Sequence, residues 1–134
     1  MLAVILQTPE RNPFQGDAKG VVLPGLDGEI GVLVRHAAMV AVLGPGEVRV
    51  RDAADKVTSY YVAGGIARVL GDEVRILVDD ATPAADLGNE EALDAEVAGA
   101  AALPKKTEAE RATRAVRLVQ ARARARTARR FRKT

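Results

Sequence analysis

Short apolar blocks rich in β-branched side chains recur along the first part of the chain. They run Ala3-Val4-Ile5-Leu6, Gly20-Val21-Val22-Leu23, Ile30-Gly31-Val32-Leu33-Val34 and Met39-Val40-Ala41-Val42-Leu43. The series continues with Val48-Arg49-Val50-Arg51, Ser59-Tyr60-Tyr61-Val62-Ala63, Ile66-Ala67-Arg68-Val69-Leu70 and Val74-Arg75-Ile76-Leu77-Val78. Turn formers divide the blocks: Pro24-Gly25, Asp27-Gly28, Gly44-Pro45-Gly46, Gly64-Gly65 and Gly71-Asp72. Val48–Arg51 alternates with period two, the spacing of a strand with one face in a core. No helix-length segment separates any two blocks, so the pattern predicts a sandwich or flattened barrel and not a βαβ sheet.

The pattern then changes. Ala81 to Asn89 holds Pro83, Gly88 and several small residues and reads as a linker. Asn89 followed by Glu90 and Glu91 reads as a helix N-cap with acids at the positive end of the macrodipole. Leu93, Val97, Ala100 and Leu103 follow at helical spacing, interrupted by Gly99, which costs about 1 kcal/mol against Ala. Pro104-Lys105-Lys106 breaks the run, and Thr107 with Glu110 is a capping-box signature for a second helix. Its apolar stripe is read as Ala109, Ala112, Val116, Val119 and Ala123. The fold class is therefore α+β: an all-β sandwich over residues 1–85, then an antiparallel two-helix hairpin over 86–134. At about 25 cal/mol per Å², a seam of Ala and Val stabilises far less than one of Leu. The hairpin is predicted to dock loosely on the sandwich and to come off.

Charge sharpens this division. The formal net charge is only +2, but residues 1–104 hold 16 acidic and 8 basic side chains, and residues 105–134 hold 2 and 12. An acidic body thus carries a strongly basic tail. Arg111, Arg114, Arg117, Arg122, Arg124, Arg126, Arg129, Arg130, Arg132 and Lys133 crowd the last helix, with only Glu108 and Glu110 beside them. Their mutual repulsion is relieved by the acidic body or by an external anion; a purely solvated face is the alternative. Nucleic acid, an anionic membrane surface and an acidic protein segment all suit such a helix. Phe131 is the tail's one aromatic residue, which argues against base stacking, although non-specific duplex binding stays open. A bulky apolar face for a membrane interface is also missing. An acidic protein surface fits best.

The candidate chemistry is sparse. The chain has no Cys, which removes disulfides, thiolate metal sites and cysteine nucleophiles. His36 is the one histidine and Ser59 the one serine, and nothing in the sequence places them together. The Gly25, Gly28, Gly31 spacing lacks a Walker lysine and a strand-to-helix context, so turns explain it better than a phosphate loop. No catalytic residue, cofactor site or metal site is expected. Leu2–Leu6 has no preceding basic residues and no cleavage site, and no apolar run reaches the roughly 20 residues a membrane span needs. The expectation is a soluble protein, cytoplasmic unless a transit sequence has been removed.

Several of these motifs, taken in order, resemble a known family. Gly28-Glu29-Ile30-Gly31-Val32, His36-Ala37 and Gly44-Pro45-Gly46-Glu47-Val48-Arg49-Val50 look like the G-E-L-G-I…H-A…P-G-x-x-R-I run of ATP synthase epsilon subunits. Tyr61-Val62-Ala63-Gly64-Gly65-Ile66 is similar to the family's Y-x-S-G-G segment, and Val74–Ala81 to its V-T-V-L-A-D-x-A strand. The resemblance implies a non-catalytic rotor subunit at the cytoplasmic side of the bacterial inner membrane, peripheral and touching the membrane only through its complex. It implies that the sandwich joins the gamma subunit to the polar loops of the c-ring. The hairpin would either fold on the sandwich or extend, its basic helix then meeting an acidic segment of the beta subunits and blocking hydrolysis.

Carried over by position, Gly28, Glu29, Gly31 and His36 are expected at the c-ring and gamma contact. Without the family, the Asp27-Gly28-Glu29 turn reads as a solvated hairpin, and His36 reads equally well as a hydrogen-bonded loop histidine. Arg111, Arg114, Arg122 and Arg126 are expected to touch the beta segment, on charge and helical phase. The family's P-G-H-A-P stands here as Val34-Arg35-His36-Ala37-Ala38, without either proline. Its ATP-binding I/L-D-x-x-R-A motif stands here as Leu87-Gly88-Asn89-Glu90-Glu91-Ala92, where Glu91 would repel phosphate. ATP binding is therefore not expected. The alternative function is a β-domain whose arginine-rich arm binds nucleic acid.

Overall fold

The structure, a computed structural model, describes residues 1–132. Lys133 of the basic tail lies outside them. Ten strands precede two helices: β1 Leu2–Gln7, β2 Phe14–Ala18, β3 Gly20–Gly25, β4 Gly28–Leu33, β5 Met39–Leu43, β6 Gly46–Arg51, β7 Val57–Val62, β8 Gly65–Leu70, β9 Glu73–Val78 and β10 Ala81–Pro83. After a single 3-10 turn at Ala84–Asp86 come α1, Glu90–Ala101, and α2, Glu108–Arg132. The strands pair in the order β10-β7-β6-β3-β5-β8-β9-β1-β2, with β4 attached to β3 alone. All pairs are antiparallel except β1 with β9. The two ends of this sequence of strands are stitched by side chains: the Tyr60 hydroxyl donates to the Pro13 carbonyl at 3.1 Å, and Arg11 Nη2 to that of Ala81 at 3.4 Å.

The core follows the period of two. Leu2, Val4 and Leu6 of β1, Val21 and Leu23 of β3, Val48 and Val50 of β6, and Val74 and Ile76 of β9 point inward and are buried. Two pieces of strand are absent from the apolar pattern. Phe14–Ala18 has no β-branched residue, yet it lies along β1 from Leu2↔Ala18 to Leu6↔Phe14, because the other edge of β1 offers a ladder of unpaired backbone groups. Ala81–Pro83, read from the sequence as linker, instead pairs with β7, and its proline sits on an edge where no N–H is required. The stretch after it is also anchored, since Ala84 and Leu87 are buried against the hairpin.

Both helix starts form as the sequence indicates. The Asn89 side chain accepts from the Ala92 N–H at 2.8 Å, and Thr107 and Glu110 cap each other reciprocally at 3.1 and 3.0 Å. The face of α2 differs from the expected stripe. Of its members only Ala123 is buried; Val116 and Val119 are half exposed, and Ala109 and Ala112 face solvent. The buried seam is Leu118 and Ala121 against Val97 and Ala100, then Ala123, Ala125 and Ala128 against Tyr61, Ala84, Leu87 and Leu93. Only the C-terminal half of α2 therefore meets the sandwich.

Candidate functional site

The β3–β4 corner carries the first group of sequence-predicted residues. Gly28 makes its turn at φ +132°, a backbone that side chains rarely adopt. At Gly28 and Gly31 a Cβ would meet nothing within 4 Å, so this edge strand offers bare, approachable backbone on both sides of Glu29. Glu29 is exposed and held by two guanidinium groups, Arg49 at 3.0 Å and Arg130 at 3.3 Å. The same two arginines reach Glu47, at 3.0 and 3.2 Å. Only 7% of the Glu47 side chain is exposed, and burial raises its pKa by more than the Ser59 hydrogen bond and the Arg130 charge lower it. Neighbouring Glu29 adds to the rise.

His36 lies elsewhere. Between them runs β4 from Glu29 to Leu33, roughly 13 Å of strand at about 3.3 Å per residue, and His36 lies beyond its end. Its Nδ1 donates to the Ala37 carbonyl at 2.7 Å, and its backbone N–H to Leu33 at 3.1 Å. Arg35 takes φ 69° in this turn, and its N–H donates to Asp72 Oδ1 at 3.2 Å. Gly28, Glu29 and Gly31 therefore form one locus and His36 another.

The cations of α2 divide by direction. Arg111 Nη1 donates to the carbonyls of Lys105 and Lys106 at 3.4 and 3.2 Å, and Arg114 Nε to that of Ala101 at 3.1 Å, so both close the turn between the helices. Arg122 and Arg126 face solvent, with no ion pair among the described residues. The cations that meet the rest of the chain were not singled out by sequence reasoning. Arg124 lies 5.2 Å from the Tyr61 ring centroid and 3.4 Å from Glu96. Arg129 approaches Glu90 and Asp94 at 3.8 and 3.7 Å, and Arg130 takes the corner carboxylates. Tyr61, buried beneath α2, also donates its hydroxyl to the Gln120 carbonyl at 3.4 Å.

A second surface was also missed. Val40 and Val42 of β5, Ile66 and Leu70 of β8 and Leu77 of β9 point outward, each 45–70% exposed. Val42, Ile66 and Leu77 stand in one cross-strand row. Beside it run Arg68 and Arg75, each near Glu73 at 3.8 and 3.5 Å. The signal was present in the sequence: β5, β8 and β9 are nearly continuous apolar runs, unlike β6, and such runs belong to strands covered on both faces.

At the altered nucleotide motif, Gly88 turns the chain at φ 98° into α1, and Glu91 is exposed on the first helical turn. Among the described residues no cluster of His, Asp or Glu has the makings of a metal site.

Comparison with known proteins agrees with this architecture. Residues 1–84 match the family described as ATP synthase, Delta/Epsilon chain, beta-sandwich domain. The chain is 42% identical over 95 residues to ATP synthase epsilon chain 2 of Ralstonia nicotianae, covering 71% of this chain and 68% of that one. With the chloroplastic ATP synthase epsilon chain of Phaeodactylum tricornutum it shares 40% identity over 118 residues, 87% of this chain and 88% of the relative. A chain in the Euglena gracilis mitochondrial ATP synthase structure (OSCP/F1/c-ring in rotational state 1) superposes with a TM-score of 0.84 at 25% identity, over 91% of this chain and 78% of that one. One from the Tetrahymena thermophila mitochondrial ATP synthase central stalk/c-ring shares the fold, with a TM-score of 0.73 at 16% identity over 95% and 96% of the two chains. The sandwich, the two-helix hairpin and these relatives together place the chain in the ATP synthase delta/epsilon family, among its non-catalytic epsilon chains.

Proposed function

We propose that the chain is a central-stalk rotor subunit that joins gamma to the c-ring through its sandwich and restrains ATP hydrolysis through its hairpin. The observation that carries this reading is the outward row Val42, Ile66 and Leu77 with Val40 and Leu70 beside it. A contiguous apolar patch on a small domain is costly in water and marks a surface that another protein covers. Gamma is its occupant, and the bare backbone of Gly28 and Gly31 with Glu29 meets the polar loops of the ring. His36, at the far end of β4, sits toward the gamma contact. The subunit works at the cytoplasmic face of the bacterial inner membrane, held there by its partners; no described helix is long and apolar enough to cross a membrane.

The hairpin divides at residues 85 and 86 from the sandwich and supplies the brake. Its solvent side presents Arg122 and Arg126 with the half-exposed Val116 and Val119, a cationic and partly apolar face for the acidic beta segment. Arg111 and Arg114 join it once the turn between the helices opens. The nucleic-acid alternative has less to rest on, because Arg124, Arg129 and Arg130 meet carboxylates of the chain itself. The test is capture by gamma. Ile66→Asp together with Val42→Asp should abolish co-purification with gamma in a reconstituted complex; undiminished capture refutes the assignment of this face. For the brake, replacing Arg111, Arg114, Arg122 and Arg126 with Gln should raise hydrolysis by the assembled enzyme several-fold, and unchanged hydrolysis rejects the chosen contacts.

A further inference from the structure

The corner that holds Glu29 is also where the far end of α2 rests. With the helix docked, two carboxylates, Glu29 and Glu47, face two guanidinium groups, Arg49 and Arg130, and the cluster is neutral. Arg49 belongs to β6 and stays in place. Arg130 belongs to the last described turn of α2 and leaves with it. Undocking therefore changes the corner from neutral to one net negative charge, with two carboxylates sharing one arginine. Glu47 is nearly buried and hard to reach, whereas Glu29 is 54% exposed and open to a partner.

We propose that Arg130 and a cation of the c-ring loops compete for Glu29, so that docking of the hairpin and seating of the sandwich on the ring oppose each other. This rests on the reading above that Glu29 faces the ring. The coupling is reciprocal: a ring cation that takes Glu29 weakens the hold on α2 by the same factor by which docked α2 weakens the ring contact. Because the carboxylate is exposed, the factor is modest, about two- to fivefold for an ion pair of this type. Arg130 is thus a cover on the ring contact as well as a tether of the helix. Competition for one carboxylate would let the state of the motor's foot bias the position of the hairpin without any nucleotide bound.

The test uses the full chain, detergent-solubilised c-ring as the binding probe, and the variants Arg130→Gln, Glu29→Gln and the pair together. Arg130→Gln should speed amide hydrogen exchange in the last two turns of α2 in the isolated chain and tighten ring binding about two- to fivefold. Glu29→Gln should weaken ring binding, and the double variant should bind like Glu29→Gln alone, since nothing remains to compete for. Exchange in Arg130→Gln equal to that of the parent chain would show that the tether does not exist. If Glu29→Gln weakens ring binding but Arg130→Gln leaves it unchanged, the competition is overturned while the ring assignment stands. If Glu29→Gln itself has no effect on ring binding, the ring assignment falls and takes the competition with it.

Discussion

Inside the sandwich, Leu2, Leu6, Leu23 and Ile76 have lost all contact with solvent, whereas the cluster that joins the hairpin to it is mostly alanine, Ala84, Ala123, Ala125 and Ala128 around Tyr61, Leu87 and Leu93. Full burial of a Leu or Ile stabilises by about 1.5–3 kcal/mol, and an alanine methyl contributes only a fraction of that. The polar contacts repeat the contrast. The sandwich closes on continuous strand ladders, while the hairpin is tied to it by ion pairs such as Arg130 to Glu29, whose side chains are about half exposed. Such pairs are worth about 0–1 kcal/mol each. One part of the molecule rests on fully buried Leu and Ile side chains; the other is attached through alanine methyls and half-exposed ion pairs, which contribute far less per residue.

The contrast breaks most visibly in the core. Leu23→Ala should cost about 2–5 kcal/mol and lower the denaturation midpoint of the whole chain, because the cavity cannot be filled by the surrounding strands. A loss confined to the helices would contradict a core shared by the full sandwich. A smaller effect is expected from Thr107→Ala, which removes one half of the reciprocal cap of α2. It should cost about 1 kcal/mol, visible as faster hydrogen exchange in the helices with the strands unchanged. Equal acceleration in both would mean that hairpin and sandwich unfold as one unit.

The smallest effect concerns pH and sharpens the comparison where the two parts meet. Glu47 is faced by Arg49, Arg130, Glu29 and Ser59, and burial holds its carboxyl above the ordinary value. The folded chain thus binds this proton more tightly than the unfolded chain does. The stabilisation is fully present below the ordinary carboxylate pKa and is lost as pH rises through the raised folded value. Glu47→Gln removes the loss, so its stability relative to the parent chain should increase as pH rises from below the ordinary carboxylate range to above it in denaturant titrations. Parallel stability curves for the two chains would mean that Arg49 and Arg130 fully offset the burial.

The elements that were legible in the sequence are those specified by neighbours along the chain. Period-two alternation in Val48–Arg51, the Asn89 cap and the Thr107–Glu110 box each need only a few consecutive residues, and each forms. The order of motifs from Gly28 to Ala81 likewise sufficed for the family. Phe14–Ala18 escaped because its strand character comes from the open edge of β1 and not from its own side chains. The face of α2 was misplaced for a related reason: alanines occur all around the helix, so periodicity could not tell the side that meets Val97 and Tyr61 from the side left in water.

The charge asymmetry shows the same boundary within a single property. An acidic body and a basic tail are matters of composition, and they were plain before any fold was known. Which arginine meets which acid depends on pairs as far apart as Glu29 and Arg130, 101 positions along the chain. Composition and local spacing determined the fold class, the helix starts and the presence of a cationic helix, because their energetics are short-ranged in sequence. Tertiary packing alone decided the coupling of Glu29, Glu47, Arg49 and Arg130 and the exposed row on β5, β8 and β9, because both depend on strands and helices brought together from distant parts of the chain.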